Sequence, residues 1–387
     1  MTTPQYHQAA TRIGQSSANL RLIAGVVIML IAVSLGGCGI SQTPRQVEPP
    51  TQPQLETAAT SPVRTATQQK LINEADALAP LAMTELGKKF LRATEALPAV
   101  ASRTVYRDDN TREYFSPTQA AALAEERRKK LTSIELDEYR FYYTKYGSPL
   151  AYLRALELAS GYGLTEVGKA NILDFGYGSI GHLRLLASLG ANMVGVDPDS
   201  YLDALYSESS DQGSVAAAGT VYRGAAGSVT LVHGRWPATA AIAQKVAGKA
   251  PYQLIVSKNT LKRGYLKPER RAPKNQLIEL GVSDDVFLKA AYNALSPGGL
   301  FVIYNLAPKQ AAVDKPYLPH ADARSPFSAE QFRKAGLEVV ALNVEDHEFV
   351  RQMGAALGWD KNDQGEVVND LSTNLFAIYT IVRRGSE

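Results

Sequence analysis

The chain has 387 residues, of which 45% are apolar and 20% charged. That balance belongs to a folded globular protein longer than one average domain and excludes a mainly disordered one. Lys and Arg number 41 against 38 Asp and Glu, a formal net charge of +3. No bulk positive field points to nucleic acid, so no such partner is expected. One cysteine excludes intrachain disulfides and Cys-rich metal sites, and five scattered histidines offer no HExxH-like pair. No metal site is expected.

Arg12 and Arg21 precede residues 22–35, LIAGVVIMLIAVSL, a run without charge. A basic lead followed by an apolar stretch is the plan of a secretory signal. The run continues into Leu35-Gly36-Gly37-Cys38, which holds the only cysteine. This arrangement resembles a bacterial lipoprotein signal peptide. The resemblance implies cleavage before Cys38, lipidation of Cys38 with palmitate-type acyl chains, and a lipoprotein of the cell envelope. Residues 22–40 are also all uncharged, enough for a membrane helix across about 30 Å of hydrocarbon. On either reading membrane lipid is a partner. Residues 41–68 hold five Pro, six Thr and five Gln, a composition that tethers rather than folds.

From residue 69 the pattern turns helical. Leu71, Ala75 and Leu78 share one face; Met83, Leu86 and Phe90 share another after Pro80 interrupts. Ser116-Pro117 reads as an N-cap with Pro at the first helical position, opening a helix through residues 120–131. The run Glu125-Glu126-Arg127-Arg128-Lys129-Lys130 fits a solvated helix surface. A tyrosine-dense stretch follows, with Tyr139, Tyr142, Tyr143, Tyr146 and Tyr152 around Gly147-Ser148-Pro149. Such rings pack a seam with their hydroxyls at its edge. The Gly-Ser-Pro break makes Tyr146 a candidate for lining a pocket.

Residues 171–175, NILDF, form a short apolar strand running into Gly176-Tyr177-Gly178-Ser179-Ile180-Gly181. A helix over residues 182–189 is closed by Gly190, and a second strand, 192–196, ends at Asp197. Strand, GxGxxG, helix, strand and acid follow in the order of a nucleotide-binding βαβ unit. The glycines allow a tight turn and close approach of a ligand, and the acid can accept hydrogen bonds from ribose hydroxyls.

Asp174 stands two residues before the first glycine, and Leu295-Ser296-Pro297-Gly298-Gly299 leads into a strand over 300–305. With these features the chain resembles the class I S-adenosylmethionine-dependent methyltransferases from about residue 164 to 384. The resemblance implies an α/β, Rossmann-like, seven-stranded, mostly parallel sheet whose last strand, 374–382, is antiparallel. Further strands are expected at 228–232, 252–256 and 338–343, and a helix at 327–335 begins near Ser328. It implies S-adenosyl-L-methionine as cofactor, with Asp174, Gly176, Gly178 and Gly181 around its methionine part. Asp197 would hold its ribose and Trp236 would stand near its adenine. The domain plan is a signal peptide or anchor (1–37), a tether (38–68), a helical portion (69–163) and a methyltransferase-like domain (164–387).

Methyl transfer from a sulfonium is an in-line displacement, for which alignment supplies most of the acceleration. A general base is needed only where the acceptor must lose a proton. Residues after the fourth strand face the methyl group in this family, which makes Asn259 and Lys258, with Tyr146, the candidate catalytic residues. Residues 258–274 carry seven basic residues and one acid, Glu269; a small-molecule anion is the acceptor this suggests, and a solvated loop is the plainer reading. His182 reads as a surface position.

The two halves imply opposite compartments, since S-adenosylmethionine is used in the cytosol and a lipoprotein body lies outside it. Beside a working methyltransferase, three resolutions follow: a membrane-anchored lipoprotein keeping the fold as a binding or scaffold module with methyl transfer lost, a membrane-anchored protein with a cytoplasmic body, and an exported enzyme with another nucleotide-like ligand. A nicotinamide-dependent oxidoreductase is a further candidate, against which the turn at 295–299 argues.

Overall fold

The computed structural model describes residues 64–386. The hydrophobic segment, Cys38 and nearly all of the expected tether lie outside the described residues. Among those described, no helix is long and apolar enough to cross a membrane, and no group of His, Cys, Asp and Glu could hold a metal ion.

The first helix, Ala66–Leu78, begins inside the segment expected to be tether. Thr65 caps it by accepting from the Gln68 amide, and the Gln68 side chain accepts from the Thr65 amide in return. Leu71 and Leu78 are fully buried, and Ala75 nearly so. Of the second expected face, Leu86 and Phe90 are buried in the helix Glu85–Arg92, whereas Met83 is 66% exposed. Met83 precedes the helix, so the 3.6-residue spacing does not apply to it. Buried Glu157 accepts from the Thr84 amide and ties the start of this helix to the helix Leu153–Gly161.

The stretch expected to be helical also contains a small antiparallel sheet. Strands β1 (Arg103–Asp108), β2 (Tyr114–Phe115) and β3 (Leu131–Leu136) pair in the order β2-β1-β3. The helix expected from Ser116 to residue 131 is correspondingly short. Ser116 and Pro117 cap Pro117–Ala121 as expected, but the charged run contributes one turn, Glu125–Arg128, before the chain becomes β3.

The main sheet has strands β4 (Asn171–Phe175), β5 (Asn192–Asp197), β6 (Gly213–Val215), β7 (Gly227–His233), β8 (Tyr252–Lys258), β9 (Leu295–Ala307), β10 (Leu337–Glu345) and β11 (Phe376–Arg384). Their order is β10-β11-β9-β8-β4-β5-β7-β6. Strands β7, β5, β4, β8 and β9 are mutually parallel. β11 runs antiparallel between β9 and β10. The seven expected strands are therefore present, with the last one reversed, and β6 adds an antiparallel edge strand beside β7.

Alternation along the strands divides the core into two layers. On β9, Leu300, Val302 and Tyr304 enter one layer, while Phe301 and Ile303 enter the other. The N-terminal helices lie in the first layer together with the helix Gly181–Ser188; Leu71, Phe90, Leu153 and Leu186 belong to one continuous cluster. Residues 64–163 thus share the core of the α/β body, and the expected boundary at 163/164 does not separate two cores. Two buried carboxyls fasten this seam: besides Glu157, Glu74 accepts from the Tyr143 hydroxyl at 3.0 Å and the Ser148 hydroxyl at 2.7 Å.

Candidate functional site

The chain leaves β4 to build β5 and β7 on one side, then returns to build β8 and β9 on the other. The crevice at the carboxyl ends of β4 and β8 is therefore the topological switch point, where open α/β sheets bind ligands. Gly176 and Gly178 turn there at φ +80° and +61°, values that favour glycine. The Gly176 amide donates to the Val196 carbonyl at 2.8 Å, which locks the turn to the tip of β5.

The three glycines have different uses. A Cβ on Gly176 would lie 2.1 Å from the Thr260 hydroxyl oxygen, and one on Gly178 would lie 3.2 Å from the Tyr146 ring. One on Gly181 would lie 2.8 Å from the Tyr142 carbonyl. Gly181 thus lets its helix pack on the tyrosine segment and does not open a face to a ligand.

Asp197 ends β5 beside this turn. Burial raises its pKa to about 6, against the opposing hydrogen bond from the Asp199 amide at 2.9 Å. Asp199, which the sequence reading passed over, collects Lys145 at 2.8 Å and the Tyr146 hydroxyl at 2.6 Å. Tyr146 is 51% exposed and lies across Gly178. Its hydroxyl is engaged by Asp199.

Beneath the turn lies a polar group sealed in the core. Asp174 and His182 are fully buried, and their Oδ2 and Nε2 atoms meet at 2.5 Å. The Tyr152 ring stacks on His182 with centroids 3.5 Å apart. The Lys258 ammonium stands 5.4 Å from the other partner of this stack, the Tyr152 ring centroid. Burial lowers the His182 pKa and brings that of Lys258 down to about 8. Asp174 Oδ1 and His182 Nδ1 are buried with no hydrogen-bond partner among the described residues.

Several expectations are corrected here. His182 is interior, not surface; it shares the 3,4,7-spaced stripe of Leu185, Leu186 and Leu189, all 2% exposed or less, and that spacing is the signal that would have placed it. Asp174 is committed to His182 beneath the turn and does not face the crevice. Trp236 is 3% exposed and packs on Phe175 and Phe287, so it offers no face to an adenine ring. Asn259 has φ +64°, and its side-chain oxygen accepts from the Leu306 amide at 2.7 Å. It holds the ends of β8 and β9 together, whereas Lys258, the last residue of β8, is partly buried at the strand tip.

The basic loop is largely neutralised from within. Arg263 pairs with Glu269, Lys267 with Asp284, and Arg270 donates to the carbonyls of Val313 and Lys315. Buried Lys262 donates to the carbonyls of Leu306 and His320, and burial lowers its pKa to about 7.

No family model matches the sequence, and no curated protein matches it. Solved structures overlap it at low similarity. The cyclase SpnF is 12% identical over 84% of this chain and 98% of its own, with a TM-score of 0.35. Phospholethanolamine N-methyltransferase 2 from Haemonchus contortus, in complex with phosphomonomethylethanolamine and S-adenosylhomocysteine, is 13% identical over 66% and 62%, at 0.33. An S-adenosylmethionine-dependent methyltransferase from Mesorhizobium loti is 15% identical over 60% and 98%, at 0.30. At scores this low the fold assignment rests on strand order and register.

Proposed function

We propose that the chain binds S-adenosylmethionine at the β4/β8 crevice and transfers its methyl group to a small-molecule acceptor. The observation that carries this reading is the placement of Asp197 and the positive-φ glycine turn on adjacent parallel strand tips, in a sheet whose β11 runs antiparallel between β9 and β10. The donor set fits the cofactor at its ribose end: a largely buried carboxylate beside a glycine turn can accept from paired hydroxyls. When bound, the cofactor would supply a methyl group already activated by positively charged sulfur. Asp197 would orient it, the glycine turn would let it approach the backbone, and Lys258 would stand on the acceptor side. Alignment of this kind accounts for the catalysis without a dedicated base.

A second reading, a non-catalytic binding or scaffold module, is favoured by one observation. Thr260 and Tyr146 lie over the two glycine faces that a ligand would approach. Calorimetric titration of S-adenosylmethionine and S-adenosylhomocysteine into the full chain separates the two. Micromolar binding lost in Asp197→Ala supports the methyltransferase. A folded chain that binds neither compound overturns it.

We also propose, from the sequence motif alone, that Cys38 carries acyl chains and anchors the protein in the bacterial cell envelope; a membrane anchor with a cytoplasmic body is the competing topology. Mass spectrometry of the purified protein checks the first, since an unacylated Cys38 in a membrane fraction excludes it. Protease accessibility in intact cells distinguishes the two topologies.

A further inference from the structure

Of the seven basic residues from 258 to 274, Lys258 differs from the rest. Lys262, Arg263, Lys267 and Arg270 are held by carbonyls or carboxylates of the fold. Arg271 and Lys274 are exposed on the loop. Lys258 sits at the tip of β8, beside the glycine turn, in a partly buried position. Its ammonium lies 5.4 Å from the Tyr152 ring centroid and feels the charge of Asp174. A ring face attracts the cation but accepts none of its three N–H donors through an oxygen. The nearest acid on the same face, Asp174, has one oxygen turned to His182 and is sealed from the crevice. A partly buried cation at the tip of β8, with no side-chain hydrogen bond or ion pair among the described residues, is complementary to an oxyanion.

We propose that Lys258 is the recognition residue for an oxyanion, a carboxylate or phosphate, carried by the molecule that enters beside the cofactor. Its role as an acceptor contact rests on the methyltransferase reading; the anion site itself does not. Tyr152, clamped between His182 and Lys258, is the positioning residue that keeps the lysine chain along the crevice wall. The structural cations of the loop keep their own partners and make no part of this site.

Inorganic phosphate and acetate are titrated separately into the full chain, its Lys258→Met and Lys258→Arg variants, and a Lys274→Met control. The expected result is weak binding of at least one anion, reduced about tenfold or more in Lys258→Met and largely retained in Lys258→Arg, as a charge-assisted contact requires. Lys274→Met binds as the original chain does. Which anion binds more tightly separates a phosphate from a carboxylate acceptor. In parallel, mass spectrometry on the unaltered chain reads whether the preferred anion protects the Lys258 amine from acylation, a measurement independent of how the variants fold.

Equal anion binding by Lys258→Met and the original chain overturns the proposal, as does the absence of binding and of protection. A fall in S-adenosylhomocysteine affinity in Lys258→Met also overturns it, because the lysine then reads the carboxylate of the cofactor. Failure of the original chain to bind S-adenosylhomocysteine, with anion binding intact, sinks the methyltransferase reading and leaves the anion site standing.

Discussion

Asp174 and His182 meet at 2.5 Å with neither side chain exposed, eight residues apart across the turn that the nucleotide motif defines. The acid that the family resemblance assigns to a ligand is thus joined to the helix that follows the turn. Their contact couples β4 to that helix and fixes the glycine segment from below.

Removing one member leaves the other stranded. His182→Ala deprives the buried Asp174 carboxyl of its hydrogen-bond partner and the Tyr152 ring of its stack, a loss of about 3 kcal/mol. Replacing both by Leu restores apolar packing and is expected to cost less than the single change. Urea unfolding of the three proteins checks this, and a single variant within experimental error of the original chain would refute it. Burial lowers the His182 pKa, so the unfolded chain binds the extra proton. The stability contributed by neutral His182 is complete above its ordinary pKa of about 6.5 and declines as pH falls below it.

The strands were largely readable because β4, β5, β8 and β11 are short apolar runs bounded by Gly, Pro or Asp. The small N-terminal sheet was not. Residues such as Arg103, Arg107, Thr132 and Glu135 break the apolar signal, and the pairing of β1 with β3 is a long-range contact with no local mark. The site was half legible. Gly176, Gly178 and Asp197 announce themselves by spacing, whereas Lys145, Asp199 and Thr260 enter through loops whose course depends on tertiary packing. Trp236 shows the converse error, since a tryptophan near a ligand motif reads the same in sequence whether it faces the ligand or the core.

Asp197 trades stability for a charged site. Its pKa of about 6 lies above the ordinary Asp value near 3.9. The folded chain therefore holds a proton that the unfolded chain loses, and stability falls as pH rises from about 4 to about 6. Asp197→Asn is expected to raise stability at pH 7.5 by roughly 1–3 kcal/mol, with the gain vanishing toward pH 4. The same change should weaken S-adenosylmethionine binding. In the original chain, cofactor affinity should fall as pH drops through about 6 and the carboxylate is neutralised. Melting curves and titrations at matched pH give both quantities; equal stabilisation at pH 4 and 7.5 would refute the assignment of cause.

The closeness of Gly176 to Thr260 gives a double-variant test of the turn. Gly176→Ala imposes a side chain at φ +80° and places its Cβ 2.1 Å from the Thr260 hydroxyl oxygen, and should destabilise by about 2 kcal/mol or more. Thr260→Gly removes the obstacle but not the backbone strain, so the double variant should recover part of the loss. Strictly additive effects would show that the two residues are not in contact.

Lys258 makes the pH dependence of anion binding opposite to that of a surface carboxylate. Burial brings its amine down to about 8, with Asp174 opposing the shift. The folded chain therefore releases this proton before an ordinary lysine near 10.4 would. Below about pH 8 the ammonium is present and the oxyanion is held; above it the charge is lost. Acetate, whose own charge is constant here, should bind with nearly constant affinity from about pH 6 to 7 and about tenfold more weakly per unit well above pH 8. Lys258→Arg should abolish the fall and keep binding to pH 10. A decline that persists in the arginine variant would place the titrating group elsewhere, and a profile flat to pH 10 in the original chain would mean that Lys258 keeps its proton in the crevice.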